Sequence, residues 1–426
     1  MLRSLIGYAR GAGIDARWVV IEGSTDFFRI TKRLHNALHG AKGDGSPLGE
    51  REQRIYEQCL HANASELSAL VKPLDVVILH DPQTAGLIPY LRSNGALVVW
   101  RCHIGSDETN EEVERGWAML SRYLDAAHAL IFSRAEFVPH FCPSERTRIV
   151  PPSIDPFSAK NQDLGEAAVR SILVGVGLLE GPPGPGAPLF QREDGSRGRV
   201  DRCADVVRLG RAPLYDTPLV VQVSRWDRLK DPVGVLHGYA ALLDGEPPRG
   251  AELVLAGPNV RAVADDPEGP AIFEEVESAW RRLPHAHRKR VHLALLPTAD
   301  VEENAAIVNA LQRHASVVVQ KSLREGFGLT VAEAMWKRRP VLASAIGGIR
   351  DQIESGVHGV LLEDPTDLET FGVELRRLIE DPERAAELGR NARERVRERF
   401  LGIRSLVQYA ELIEDLHRDA SPASGA

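Results

Sequence analysis

Residues 325–340 read "EGFGLTVAEAMWKRRP" and follow directly on the apolar run "ASVVVQKS" at 315–322. A Val-rich run, a turn with Gly326 and Gly328, and an Ala-rich apolar stretch spell strand, tight turn and helix. Glycines at such a junction let the backbone come close to a ligand. The first N–H groups of the helix have no intrahelical partner and its positive dipole end attracts anions. Two carboxylates, Glu325 and Glu333, stand eight residues apart on either side of that turn. Carboxylates accept hydrogen bonds from hydroxyls. The stretch therefore suits a ligand with a sugar, a diphosphate and a second sugar. The alternative is a plain strand–turn–helix junction with Glu333 as a solvated helix residue.

Other segments repeat the pattern. "ARWVVIEG" (16–23), "DVVILHDP" (75–82), "ALVVWRCHI" (96–104), "HALIFSR" (128–134) and "TRIVPP" (147–152) are candidate strands in the first half. "PLVVQVSRW" (218–226), "AELVLAGPN" (251–259), "RVHLALLP" (290–297), "ASVVVQKS" (315–322), "RPVLASAIGG" (339–348) and "GVLLEDP" (359–365) follow in the second. They are nearly continuous apolar runs, as in parallel strands covered on both faces, and helix-length segments separate them. The fold class is α/β, with two Rossmann-like domains facing each other across a cleft. The expected division is an N-terminal domain over 1–182, a Gly/Pro/charged linker or insertion over 183–217 and a C-terminal domain over 218–400. Residues 401–426 form a helix returning toward the N-terminal domain and a disordered tail.

The chain has 426 residues, enough for two or three domains, with 43% hydrophobic and 26% charged residues, as in a globular protein. A net charge of −8 argues against a nucleic-acid binder. No apolar run reaches the roughly 18 residues of a membrane span, and the N-terminus lacks a signal-peptide core. Cys59, Cys102, Cys142 and Cys203 are far apart without a CxxC pair, so no zinc spacing is present. Reduced thiols and a cytoplasmic protein are the default.

In open parallel sheets ligands bind beyond the carboxyl ends of the strands, so strand-end residues carry the chemistry. Arg225 and Lys230 follow one strand, where two cations would neutralise a diphosphate leaving group. Surface pairs with Asp227 and Asp231 are the alternative, and Arg228 is expected in solvent. Asp231-Pro232 has the pattern of a helix cap. His80, Arg101 and His103 could line a polyol pocket, and Asp81-Pro82 again resembles a helix start. Asp300 and Glu303 make a capping-box pattern. The loop "AGPNVRAVADDPEG" (256–269) could sit near a nucleotide.

Together these residues resemble the retaining GT-B glycosyltransferases of the family 4 type. The E-x7-E pattern matches Glu325 and Glu333, and the S-R-x4-K pattern matches Ser224, Arg225 and Lys230. "HDPQ" (80–83), "WRCHI" (100–104), "VSRWDRLKDP" (223–232), "VQKSLREGFGLTVAEAMW" (319–336) and "GGIRDQI" (347–353) look like the glycosyltransferring trehalose synthases. The likeness spans the chain outside 183–217 and the tail. It implies a retaining glucosyltransferase making trehalose from a nucleoside diphosphate glucose, such as ADP- or UDP-glucose, and glucose. The runners-up are a retaining trehalose phosphorylase and a family 4 transferase with another acceptor. A sugar-nucleotide-binding protein with little turnover is the reading from another class.

By the resemblance, Glu325 holds the donor hexose hydroxyls and Glu333 the ribose. Arg225 and Lys230 take the diphosphate, helped by the backbone of Gly326, Phe327, Gly328, Leu329 and Thr330. His103 sits at the reacting sugar, with Asp81, His80 and Arg101 on the acceptor side. No metal or other cofactor is implied, because Arg and Lys stand in for a divalent cation. The partners are small molecules: the nucleotide sugar, glucose or trehalose. A homodimer is compatible with the sequence, which leaves the oligomeric state open. Family members open with a β-strand and a glycine-rich loop, whereas this sequence starts at "MLRSLIGYARGAGIDARWVVI", a first helix and then a second strand. Either the start codon was assigned too late, or the strand and loop are absent. In the second case the N-terminal sheet would be uncovered at one edge and the donor phosphates open on one side.

If these roles are right, Glu325→Ala leaves a folded protein that has lost most activity. Arg225→Ala lowers turnover roughly 10²-fold through the leaving group. Circular dichroism and initial rates check both, and near wild-type rates in either would refute its role.

Overall fold

The computed structural model describes residues 2–244, 248–260 and 268–421, and the side chains from Leu5 onward. The chain divides into two compact units, Met1–Pro152 with Gly402–Ala426, and Ser153–Leu401. The boundary thus falls 30 residues earlier than the expected 182/183. Residues 153–182 carry Val169, Ile172 and Leu173, which are buried in the core of the second unit.

The first unit holds a four-stranded parallel sheet in the order β1-β2-β3-β4. Its strands are β1 Val76–His80, β2 Leu97–Cys102, β3 Ala129–Phe132 and β4 Thr147–Ile149. Alternation along β2 sends side chains to opposite faces. Trp100 and Cys102 join Phe27, Leu34, Tyr56, Leu120 and Phe132 beneath the helices Thr25–Leu38, Glu50–Leu70 and Glu111–Leu124. Leu97 and Val99 pack with Tyr409, Leu412 and Leu416 of the helix Gly402–Ala420. The last helix of the chain therefore covers the second face of the first sheet.

One expected strand does not form. Residues 16–23 join no ladder, and Trp18, Val19 and Val20 are exposed. The Glu22 backbone bonds instead to a side chain: its N–H donates to Asn63 Oδ1 at 2.9 Å, and Asn63 Nδ2 donates to Glu22 O at 2.9 Å. An apolar run becomes a strand only where a neighbour supplies hydrogen bonds.

The second unit is built on a seven-stranded sheet in the order β13-β12-β11-β8-β9-β10-β7. The strands are β7 Asp205–Val207, β8 Leu219–Val223, β9 Glu252–Pro258, β10 Val291–Leu296, β11 Val317–Gln320, β12 Val341–Ser344 and β13 Val360–Leu362. All pairs are parallel except β10 with β7. From β8 the chain builds outward through β9 and β10, then returns to add β11, β12 and β13 on the other side. This is the doubly wound order, with its switch point between β8 and β11. Val221, Val254 and Val318 face one core with Ile307 and Met335, and Val220, Leu253 and Val319 face the other with Tyr239 and Phe371.

The expected linker at 183–217 is an integral part of this unit. It supplies β7 and a two-stranded hairpin, β5 Leu189–Gln191 and β6 Arg197–Arg199, whose Phe190 is buried with Val200. Its polar composition hides ion pairs to the helix Val301–His314. Arg192 reaches both Asp300, at 2.6 Å, and Glu302, at 3.0 Å. Asp300 caps that helix by accepting from the N–H groups of Glu302 and Glu303. Glu303 does not complete the capping box. Its buried carboxylate accepts from Asp201 N at 2.7 Å and Arg202 N at 2.8 Å and pairs with the Arg202 guanidinium.

The loop expected near a nucleotide lies at 261–267 outside the described residues, as does 422–426 of the expected disordered tail. No helix among the described residues is long and apolar enough to cross a membrane.

Glu303→Ala is expected to destabilise the second unit by about 2 kcal/mol, because two main-chain donors lose their acceptor. Urea unfolding should show the loss, and hydrogen exchange should rise over 189–202. Unchanged exchange there would show that the hairpin does not depend on Glu303.

Candidate active site

The switch point of the second sheet brings the ends of β8 and β11 together. After β8 the chain passes Ser224 to Asp227, makes a single 3-10 turn at Arg228–Lys230 and enters the helix Pro232–Leu242. Asp231 takes a left-handed conformation, φ 47°, and its side chain accepts from Gly234 N at 3.0 Å, so it caps that helix. The same carboxylate pairs with Lys321, a fully buried lysine at the end of β11.

Lys230 Nζ meets Glu325 Oε2 at 2.5 Å, and Ser322 Oγ donates to the same oxygen at 3.3 Å. Both charged side chains are largely buried. This answers what makes a carboxylate tolerable beyond a buried strand: a lysine from the neighbouring strand end compensates it. Arg225 stands apart from this pair. Its exposed guanidinium bonds Asp227 at 3.1 Å, the surface pair that was the alternative to a diphosphate role. Arg228 pairs with Glu275 at the surface.

The turn after Glu325 is braced by a second glycine loop. Gly328 has φ 81° and precedes the helix Leu329–Trp336. Gly347 has φ 48°, and a Cβ there would lie 1.9 Å from Glu325 O. Gly348 N donates to Gly326 O at 2.8 Å, and buried Gln352 donates to Phe327 O at 2.5 Å. The turn carbonyls are thus tied back. Among the described residues the N–H groups of Leu329 and Thr330 find no acceptor, as expected for an anion-receptive helix start. Phe327 is expected in the donor site, but its ring is buried against Phe400, so only its backbone belongs to the turn.

Glu333 lies one turn into this helix and is not a solvated residue. It is buried and pairs with Lys160 Nζ at 2.9 Å. Four positions around these groups escaped the sequence reading. Lys160 and Lys321 look like ordinary lysines in sequence. Gly347 and Gln352 sit inside the quoted "GGIRDQI", where a glycine pair after a strand was the available signal.

In the first unit, His80 ends β1 and His103 follows β2. The rings stack at 5.3 Å, and His80 Nδ1 lies 3.1 Å from His103 Nε2, so one of the two nitrogens donates. Asp81, at φ 61°, is not a helix cap: its Oδ1 accepts from His103 N at 2.7 Å and so locks the two strand ends. Arg101, expected on the acceptor side, is turned away in fact. Its guanidinium is buried, bonded to the Tyr409 hydroxyl and to Val150 O. Burial, with the Arg101 charge next, lowers His80 to about 4 and His103 to about 2. Burial raises Asp81 to about 6. Near neutral pH the site therefore offers two neutral imidazoles beside a carboxylate.

No group of three or more His, Cys, Asp or Glu among the described residues is placed to hold a metal. The four cysteines form no disulfide.

Comparison with known proteins places these features. Residues 1–139 match the family "Trehalose synthase, N-terminal domain", and residues 214–395 match "Glycosyl transferases group 1". A trehalose synthase of Thermococcus litoralis is 33% identical over 413 residues, covering 97% of this chain and 86% of the relative. A trehalose synthase of Rubrobacter xylanophilus is 33% identical over 411 residues, covering 95% and 84%. Among solved structures, a UDP-forming α,α-trehalose-phosphate synthase of Burkholderia xenovorans, in complex with glucose-6-phosphate, superposes with a TM-score of 0.67. It is 16% identical over 92% of this chain and 85% of its own. These matches make the two Rossmann-like units a GT-B fold.

The histidine pair has a consequence for stability. Below the ordinary histidine value of 6.5 the unfolded chain takes up protons that folded His80 and His103 refuse. Asp81 works the other way, because the folded carboxyl takes its proton near pH 6 and the unfolded one near 3.8. Two protons outweigh one, so stability falls as pH drops from 6.5 toward 4, at about 1.4 kcal/mol per pH unit for each net proton. Urea unfolding across that range measures it. A His80→Gln, His103→Gln double variant should lose the acid destabilisation, and an unchanged slope would refute the assignment.

Proposed function

The chain belongs to the trehalose synthase family of glycosyltransferases, and from that membership we propose that it transfers glucose from a nucleoside diphosphate glucose to glucose, making trehalose with retention of the α configuration. The observation that carries this reading is the Lys230–Glu325 pair at the switch point, 2.5 Å apart beside an unfilled helix start.

A diphosphate entering at the N-terminus of the helix Leu329–Trp336 meets the main-chain donors of Leu329 and Thr330 and the ammonium of Lys230. Lys230 then shares its charge between Glu325 and the leaving group. Arg225 can join them at low cost, since an exposed pair such as Arg225–Asp227 is worth only about 0–1 kcal/mol. Glu325 accepts hydroxyls of the hexose, and Glu333 those of the ribose. His103, neutral and hydrogen-bonded to His80, serves as a donor or acceptor toward the reacting sugar without adding charge.

In this reading the reaction is a front-face displacement. The bond from the anomeric carbon to the diphosphate oxygen breaks, the bond to the acceptor hydroxyl oxygen forms on the same face, and the departing phosphate takes the hydroxyl proton. Lys230, Arg225 and the helix start supply the positive charge, so the scheme calls for no metal. Thiols without disulfides fit a cytoplasmic setting.

Purified protein with ADP-, UDP- or GDP-glucose and glucose should release the nucleoside diphosphate and a non-reducing disaccharide. Absence of product with all three donors would overturn the proposal. Phosphorolysis of trehalose to glucose 1-phosphate without nucleotide would make the protein a phosphorylase instead, and nucleotide binding without turnover would make it a binding protein.

A further inference from the structure

Lys160 has no place in the donor scheme above, yet the fold fixes it with unusual care. Its chain segment carries no regular structure. The carbonyls on both sides of it are nonetheless held by side-chain donors from two helices. Asn309 Nδ2 donates to Ala159 O at 3.1 Å and to Gln162 O at 2.9 Å. Trp336 Nε1 and Arg313 Nη2 both donate to Asn161 O, each at 3.2 Å. The Asn161 side chain accepts from the fully buried Lys337 at 3.1 Å. Lys337 in turn donates to Gln312 Oε1 at 2.8 Å and to Glu333 O at 3.0 Å.

This scaffold delivers one half-exposed ammonium to one buried carboxylate, Lys160 Nζ to Glu333 Oε2 at 2.9 Å. The contact at Oε2 is an ion pair without hydrogen-bond alignment, and the other carboxylate oxygen, Oε1, has no side-chain or main-chain partner among the described residues. A carboxylate with both oxygens unfixed could turn its acceptors in several directions. Charge pairing at Oε2 leaves a single acceptor in one place.

We propose that Lys160 is a positioning residue of the donor site: it pins Glu333 by one oxygen so that the other is presented to the ribose hydroxyls of a nucleoside diphosphate. This rests on the reading that Glu333 takes the ribose. Lys160 also places a compensating positive charge beside the buried Glu333 carboxylate. Its effect falls on donor binding and leaves the chemistry at the hexose alone.

Titration calorimetry with ADP, UDP and GDP on the full chain tests this, using Lys160→Ala, Lys160→Arg, Glu333→Gln and the Lys160→Ala, Glu333→Gln double variant. Lys160→Ala should weaken binding of the preferred nucleotide about 10-fold, the loss of one close, partly buried charge pair. Lys160→Arg should restore most of it. In the Glu333→Gln background, Lys160→Ala should add little, because the two act as one unit. Kinetics should show the donor KM raised with kcat within about 2-fold of wild type, and thermal melts should show folded variants. Wild-type binding by Lys160→Ala, or independent multiplying effects, would overturn the proposal. If Glu333→Gln binds as well as wild type, the ribose assignment itself fails and takes this inference with it. If Glu333→Gln weakens binding and Lys160→Ala does not, only the inference fails.

Discussion

The ion pair between Lys230 and Glu325 joins the two strand ends that the chain order sends apart. The β8 end leads toward β9 and β10, and the β11 end toward β12 and β13. Nothing covalent holds the gap between them closed at the top. Lys230 comes from a 3-10 turn fixed by the Asp227 side chain, which accepts from Leu229 N, and by Asp231, which caps the next helix. Glu325 comes from a turn fixed by Gly348 and Gln352. Each charge is preset by its own neighbours, so little side-chain entropy is lost when the two meet.

The same economy explains the polar groups buried deeper in the second unit. A buried charge is tolerable only when paired and hydrogen-bonded. Asp231 serves both as helix cap and as partner of buried Lys321. Glu303 satisfies two main-chain donors and one arginine. Lys337 finds three oxygens, yet burial still drives its ammonium well below the usual lysine value. These groups tie loops to helices alongside the few apolar anchors those loops carry, such as Phe190 and Ala159. The hairpin at 189–199 and the loop carrying Lys160 are both fastened in this way.

In the first unit the polar site is simpler and depends on backbone geometry. Asp81 and His80 lie at the end of β1 in register with Arg101 on β2, so His103 falls beside His80. The Arg101 guanidinium is instead taken up by the C-terminal helix through Tyr409. Even so, the Arg101 charge helps keep both imidazoles neutral.

The strand-and-helix rhythm, the parallel sheets and the turn "EGFGLT" were legible in the amino-acid order, because apolar periodicity and glycine placement are local properties. So were Glu325 and Lys230 as charged residues just past strand ends, and Glu333 as a carboxylate in the helix that follows. Three features were not legible, each for a non-local reason. The segment "ARWVVIEG" has strand composition, but a ladder needs a neighbour, and Asn63 takes the Glu22 backbone instead. Residues 183–217 have linker composition, but their charges find Asp300, Glu302 and Glu303 more than 100 residues away in the chain. Arg101 stands two residues before His103 in sequence, but a helix some 300 residues later decides where its guanidinium lies. Sequence determined which elements form and which residues end the strands. Tertiary structure alone decided which charges meet, because an ion pair depends on distance in space and on burial, and neither is a property of the local chain.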